Sequence, residues 1–371
     1  MKLEQSSRVV ICRPDRIGDV IISTSCLPIL KKRFPDTKFY FMAREPLRIL
    51  LQNHPCLAGF ISIPPQAEEF SWKDVAMISM SLRQIRPTSI IHLHPHPSCY
   101  LAAWQQRIGL RVGYSRLGWS WTLNRSHPDT RDQGLKHEAL YNFDLLQELG
   151  VEPKGPIRPS IVLDVRYKDS LAEKMPQLFE TMNYAVINPT AFSPTLRWPA
   201  EYFAELSKRI YKNYGFDIVL IGDRARDPSI VKIKRMLHAW NIPFINLAGK
   251  THLGELAWLL RYAKVFVSRN TGPSHLAAAV NCPAVDIFGR SSPTYGPIRW
   301  RPLSPRSVII MRTPRRKKWE TTEEYWIRSY RAISVEQIEE AVKDALRDTP
   351  LLPSPSTPIT LSPSSLATNI S

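Results

Sequence analysis

Four short segments of the chain combine residue types that can bind a phosphate or move a proton. The first is Arg13-Pro14-Asp15-Arg16-Ile17-Gly18-Asp19, which sets carboxylates beside two guanidinium groups just before an apolar run. Gly18 allows a tight turn, and Asp19 between basic groups is a candidate general base. On local grounds Asp19 is equally suited to cap a helix, because Asp is among the favoured N-cap residues. The segment is not a Walker phosphate loop, since the Gly-Lys-Ser/Thr ending is missing. The second segment joins Asn188-Pro189-Thr190 to Arg197-Trp198-Pro199. There Thr190 can donate to a phosphate oxygen and Arg197 can neutralise one. The third is Asn270-Thr271-Gly272-Pro273-Ser274-His275, followed by Leu276 and three alanines. Pro in the first helical turn with small residues behind it leaves exposed N–H groups at a helix N-terminus, a site suited to a pyrophosphate. His275 falls in that turn and either meets the ligand or packs beneath the loop. The fourth, Phe288-Gly289-Arg290-Ser291-Ser292-Pro293, is also compatible with an ordinary turn.

The elements around these segments alternate between short apolar runs and amphipathic stretches. Val9 to Cys12 reads as a buried strand, Asp19 to about Lys32 as a helix, and Lys38 to Met42 as a second strand. Helices follow over Pro46 to Asn53 and Trp72 to Arg86, with a strand over Ser89 to Leu93. A helix from about His137 ends at Gly150, and the prolines at 153, 156 and 159 mark a boundary there or shortly after. A second alternation begins at Tyr184 and runs through strands ending at Asn188, Ile221, Asn246, Ser268 and Phe288, before a last amphipathic helix over Val335 to Arg347. Short apolar strands separated by helices predict an α/β protein with two doubly wound Rossmann-like domains, and ligands beyond the carboxyl ends of the strands. The expected division is 1–165, 166–348 with the final helix, and a disordered Pro/Ser/Thr-rich tail over 349–371.

A chain of 371 residues exceeds one ordinary core and supports this division into two. Fifty Lys and Arg against thirty-three Asp and Glu give a formal charge of +17, which predicts an anionic partner. Five scattered cysteines without a C-x-x-C pair point to a reducing compartment. The apolar run before Arg13 is too short for a signal peptide, and Val20 to Leu30 is about half of the roughly 20 residues that cross a bilayer. A cytoplasmic protein, soluble or peripheral on a membrane, is expected.

Two other classes compete. Ile91-His92-Leu93-His94-Pro95-His96 spaces three imidazoles by two, a pattern able to contribute to a zinc site in a metal-dependent hydrolase. No Asp, Glu or Cys cluster nearby completes a shell, and His94 and His96 fit better as lining of an acceptor cleft. Arg312, Arg315, Arg316, Lys317, Lys318 and Trp319 form the densest basic cluster and could belong to a non-enzymatic membrane- or nucleic-acid-binding module. The chain has no helix-turn-helix, RNA-recognition or zinc-finger signature, so nucleic acid is not the expected partner.

The Arg-x-x-x-Ile-Gly-Asp segment, the central Arg197-Trp198-Pro199, and Asn270 to Ala279 followed by Ile287-Phe288-Gly289 together resemble glycosyltransferase family 9, the ADP-heptose:lipopolysaccharide heptosyltransferases. Arg107 to Tyr114 and Lys136-His137-Glu138 add to the likeness, which runs from about Arg8 to Arg347. The resemblance implies a GT-B fold with two domains facing across a cleft. It also implies an inverting, metal-independent transfer of a heptose or related sugar from an ADP-sugar to a lipopolysaccharide core or similar glycan. Asp19 would be the base, with no cofactor required. Thr190, Arg197, Asn270, Thr271, Gly272 and His275 would hold the donor, while Arg13, Arg16, Gly18, His94 and His96 would meet an anionic glycolipid acceptor at the cytoplasmic face of the inner membrane. The chain departs from the family pattern at Asn270, where Asp is usual, and at Leu196, where Lys is usual. Both changes touch the donor site and leave open a different nucleotide sugar, with Arg197 taking over the lost charge.

Overall fold

The computed structural model describes residues 7–64, 70–116, 118–153, 155–190 and 197–347. In the first half, β1 (Arg8–Cys12), β2 (Lys38–Arg44), β3 (Gly59–Ile63), β4 (Ser89–His92), β5 (Leu110–Tyr114) and β6 (Arg125–His127) form a parallel sheet in the order β3-β2-β1-β4-β5-β6. The second half repeats it with β7 (Tyr184–Asn188), β8 (Asp217–Leu220), β9 (Phe244–Asn246), β10 (Val265–Arg269), β11 (Ala284–Phe288) and β12 (Ser307–Met311), ordered β12-β11-β10-β7-β8-β9. Counted within its own half, each sheet has the 3-2-1-4-5-6 order of a doubly wound fold. The central strands β1, β4, β7 and β10 are mostly apolar and buried rather than alternating because helices cover both faces. All five residues of β7 and of β11 are buried.

The helices of the first half are α1 (Ile17–Ser23), α2 (Leu27–Arg33), α3 (Arg48–Leu51), α4 (Trp72–Ile85), α5 (Pro97–Gln105) and α6 (Glu138–Leu146). Those that follow are α7 (Val165–Lys174), α8 (Pro176–Thr181), α9 (Ala200–Tyr214), α10 (Pro228–Ala239), α11 (Leu253–Tyr262), α12 (Gly272–Ala279), α13 (Pro297–Trp300), α14 (Thr322–Arg331) and α15 (Val335–Arg347). One expectation is corrected here: the single helix over Asp19 to Lys32 is broken between α1 and α2 by a 3-10 turn over Thr24–Cys26. Pro28 lacks an N–H and clashes with the preceding turn, and the side chains of Thr24, Ser25 and Cys26 bond back to carbonyls three residues earlier. Leu196 and the tail over 349–371 lie outside the described residues.

A continuous apolar cluster joins the two halves, running from Val9 and Val20 through Leu27 and Tyr184 to Leu276. A second cluster closes the far face of the second sheet, where α15 buries Val335, Ile338, Ala341, Val342 and Ala345 at helical spacing. There the buried Trp198 donates its indole N–H to the Ile333 carbonyl at 2.8 Å. Among the described residues no helix is long and apolar enough to cross a membrane. All five cysteines are free thiols.

Candidate functional site

In a doubly wound sheet the crevice opens where the strand order reverses, between β1 and β4 in the first half and between β7 and β10 in the second. Three of the four chemistry-bearing segments, and the histidine run, leave the ends of those four strands. The two halves touch there: a Cβ added to Gly18 would lie 2.7 Å from His275 Cδ2, and 3.5 Å from Gly272 Cα. The Gly-Asp loop of the first half thus sits against the Thr-Gly-x-x-His loop of the second.

Arg16 caps α1 by backbone geometry and is exposed, so Asp19 occupies the third helical position rather than the cap. Its side chain is 16% exposed and Oδ1 accepts from Arg13 Nη2 at 3.0 Å. Burial, reinforced by Asp15 and opposed by Arg13, pushes the Asp19 carboxyl up to about 7. Arg13 is only 1% exposed, and all five of its N–H groups have protein acceptors. Nε donates to Asp15, Nη1 to the Leu93 carbonyl and Asn142 Oδ1, and Nη2 to Asp19 and Glu138. Direct contact between Arg13 and an acceptor, expected from the sequence, would have to break one of these bonds. Arg13 instead orients Asp19.

The histidines separate. His94, 34% exposed, places Nδ1 3.3 Å from Asp15 Oδ2 and stays at the mouth, held neutral by burial and by Arg13 and Arg131. His96 is buried at the start of α5 against Cys99, and His92 is buried edge-on to Tyr100 with ring centroids 4.6 Å apart. The expected place of His96 on the cleft surface is corrected, because the chain turns inward after β4 to start α5. The hydrolase alternative loses its geometry for the same reason: the three rings do not converge, and the described residues hold no cluster of three or more His, Cys, Asp and Glu side chains able to bind a metal.

On the opposite side Thr271 is the N-cap of α12 and Pro273 lies in its first turn. Asn188 gathers the hydroxyls, donating to Ser268 Oγ at 3.2 Å and Thr271 Oγ1 at 3.3 Å while accepting from Thr190 Oγ1 at 2.8 Å. Among the described residues Asn270 Oδ1 and His275 Nδ1 are buried without a hydrogen-bond partner, and burial holds His275 neutral, at about 3. Orphaned polar atoms beside a helix N-terminus suit a polar ligand; Thr271 and Ser274 cap each other's N–H groups there, so the positive end of the helix dipole, more than free donors, would favour an anion. Arg197 pairs with Asp227 at 2.7 Å and also donates to Ser229. Arg269 lies over Tyr330 at 5.2 Å, and Arg290 lies over Tyr295 at 4.0 Å and Trp326 at 4.4 Å. Burial and the nearby charges of Arg290 and Arg197 hold Arg269 below the ordinary guanidinium range, as expected where cations are assembled to meet an anion.

The sequence reading did not assign Asp15, Arg131, Asn142, Arg269 or Arg299 to the site. It noted Glu138 as part of a motif without giving it a role. Two sheets of the same winding, meeting at their switch points, form a GT-B architecture of two Rossmann-like domains. The sequence model of glycosyltransferase family 9 (heptosyltransferase) matches residues 98–326, and the chain belongs to that family. Lipooligosaccharide heptosyltransferase 2 of Haemophilus ducreyi is 28% identical over 317 residues, spanning 82% of this chain and 88% of the relative. A solved glycosyl transferase family 9 structure from Veillonella parvula superposes with a TM-score of 0.77 at 20% identity, covering 94% of this chain and 99% of the other. The ADP-heptose lps heptosyltransferase II of Escherichia coli gives 0.72 at 23% identity, covering 92% and 98%.

Proposed function

We propose that the protein transfers a heptose from an ADP-sugar to a lipopolysaccharide core acceptor, with inversion and without a metal ion. The observation that carries this reading is the contact of Gly18 with His275 and Gly272, which sets Asp19 next to the N-terminus of α12. The donor diphosphate lies at that helix, met by Thr190, Thr271, Gly272, His275 and the neighbouring arginines Arg197, Arg269 and Arg290. The acceptor enters past Arg16 and His94. Asp19 takes the proton of the acceptor hydroxyl as its oxygen attacks the anomeric carbon from the face opposite the diphosphate. The bond from that carbon to the phosphate oxygen breaks, and the electron pair leaves with the nucleoside diphosphate. Negative charge grows on the leaving group where the positive end of α12 and the arginines are already fixed, a role otherwise filled by a divalent cation.

Residues 1–165 serve the acceptor and 166–348 the nucleotide sugar in this reading. The net charge of +17 favours peripheral attachment to the anionic cytoplasmic face of the inner membrane. Two measurements test the proposal. Asp19→Asn should lower turnover by a factor of about 100 or more while leaving donor binding nearly unchanged, and near wild-type turnover at saturation would remove the general-base assignment. In a panel of nucleotide sugars, ADP-heptose should raise the melting temperature most. Equal stabilisation by unrelated nucleoside diphosphate sugars would sink the donor assignment, to which the neutral Asn270 is the residue most relevant.

A further inference from the structure

Glu138, the first residue of α6, is fully buried and carries ion pairs in two directions. Its Oε1 accepts from Arg13 Nη2 at 2.9 Å, and its Oε2 accepts from Arg299 Nε at 2.8 Å. Arg13 Nη2 in turn reaches Asp19 Oδ1 at 3.0 Å. Arg299 belongs to α13, between β11 and β12 of the second half, and its Nη1 also donates to the Arg131 carbonyl at 2.8 Å. A continuous series of charged contacts therefore runs Arg299, Glu138, Arg13, Asp19, starting in one half and ending at the catalytic loop of the other.

The seating of α13 is specific rather than incidental. Thr294 Oγ1 donates to the Asp132 carbonyl at 2.9 Å, and His137 Nε2 lies 2.8 Å from the Arg301 carbonyl. Gly134, with φ of +56°, comes so close that a Cβ there would stand 2.0 Å from the Pro293 carbonyl oxygen. Removing one partner of such a buried pair leaves the other charge uncompensated. Without Arg299, the Glu138 charge would be shared by Arg13, with Arg131 Nη1 lying 3.5 Å away.

We propose that Arg299 is a positioning residue for the transfer reaction, which through Glu138 holds Arg13 against Asp19 and so completes the base only when the second half is seated on the first. The inference rests on the general-base reading of Asp19. The groups acting on that carboxyl are Asp15 and Arg13 from its own loop, His94 from the turn after β4 and Glu138 from α6. Arg131 and Arg299 act on Glu138 from the loop after β6 and from α13. Losing the positive charge of Arg299 leaves more negative potential at Asp19, which favours its protonated form. Losing the negative charge of Glu138 does the reverse.

The test is the pH profile of kcat/KM, whose acid limb reports the base in the unliganded enzyme. Arg299→Gln should move that limb upward by about half a pH unit or more, so that activity lost at neutral pH is partly regained in alkali. Glu138→Gln should move it downward, and the double substitution should bring it back below the position in Arg299→Gln. Arg299→Lys, which keeps the charge but not the fork, should lie between wild type and Arg299→Gln. A lowered kcat/KM with an unmoved limb in Arg299→Gln means that the residue only supports the interface, and overturns the inference. If Arg299→Gln does not melt cooperatively, Glu138→Gln and Arg299→Lys carry the test, and a limb unmoved in both overturns it. Asp19→Asn measured alongside separates the two ideas: full activity there removes the base itself, whereas an inactive Asp19→Asn with unmoved limbs elsewhere removes only the role of Arg299.

Discussion

Gly18→Ala probes the contact on which the arrangement of the two halves depends. Gly18 lies in the first turn of α1 with ordinary helical backbone, so by propensity alone Ala should stabilise the helix by up to about 1 kcal/mol. The added Cβ would stand 2.7 Å from His275 Cδ2, well inside the roughly 3.5 to 4.0 Å of a normal carbon contact. His275 is buried and packed at the start of α12, so the overlap is relieved by displacing the ring or by parting the two helices. Overpacking of this kind costs about 1–3 kcal/mol, which outweighs the propensity gain. Because the displaced group lines the proposed diphosphate site, the same energy drawn from binding corresponds to roughly a 5- to 150-fold rise in the donor dissociation constant. Thermal melting and calorimetric titration with the nucleotide sugar measure the two effects separately. Gly18→Ala combined with His275→Ala should recover most of the lost stability without recovering donor affinity. If Gly18→Ala melts at or above the wild-type temperature and binds donor normally, the two loops do not meet as described.

Two further predictions concern charge. Asp286, buried on β11 and pushed up to about 7 by desolvation, keeps its proton in the folded protein while the unfolded chain ionises nearer pH 4. The Asp286 contribution to stability should therefore fall as pH rises between those values, by on the order of 4 kcal/mol, and be flat above. Asp286→Asn removes that slope, so chemical denaturation should find the variant gaining on wild type from pH 4 to pH 8; parallel stability curves would contradict the buried-carboxyl argument. Replacing Arg315, Arg316, Lys317 and Lys318 with Gln should reduce binding to anionic vesicles and flatten its salt dependence, with turnover on a detergent-dispersed acceptor nearly unchanged. Those residues leave the carboxyl end of β12 on a loop pinned by Glu320 and Arg328, with Trp319 83% exposed beside them. Vesicle binding that survives the four substitutions would move membrane contact elsewhere on the surface.

The parts of this molecule that were legible in its sequence are those whose signals are local. Short, mostly apolar segments marked β1, β7, β10 and β11, and the glycines and hydroxyls at their ends marked the loops because backbone turns and helix N-termini need those residues at once. Strand β5 was missed because Arg111 and Gly113 interrupt its apolar pattern. Each has a tertiary reason: Arg111 reaches the Thr122 carbonyl at 2.7 Å, and a Cβ on Gly113 would fall 2.7 Å from the Tyr100 hydroxyl. Both partners, Thr122 and Tyr100, lie outside the strand's own five residues, so its apolar pattern carries no sign of them.

Arg13 shows the same limit in the site itself. An arginine in a polar loop beside an acidic residue reads as solvent-facing and ready for an anion, since full burial of a guanidinium is rare without complete pairing. Here pairing is complete, but its acceptors come from positions 80, 125 and 129 residues along the chain as well as from Asp15 and Asp19. The consequence is electrostatic as well as geometric. The positive charge of Arg13 is set against Asp15, Asp19 and Glu138, so an anionic acceptor approaching Asp19 would meet Arg16 at the rim and, behind it, a floor where three carboxyls surround one guanidinium. A base set on that floor can be shielded from water and raised toward neutrality, which two unpaired guanidinium groups at its side would have prevented.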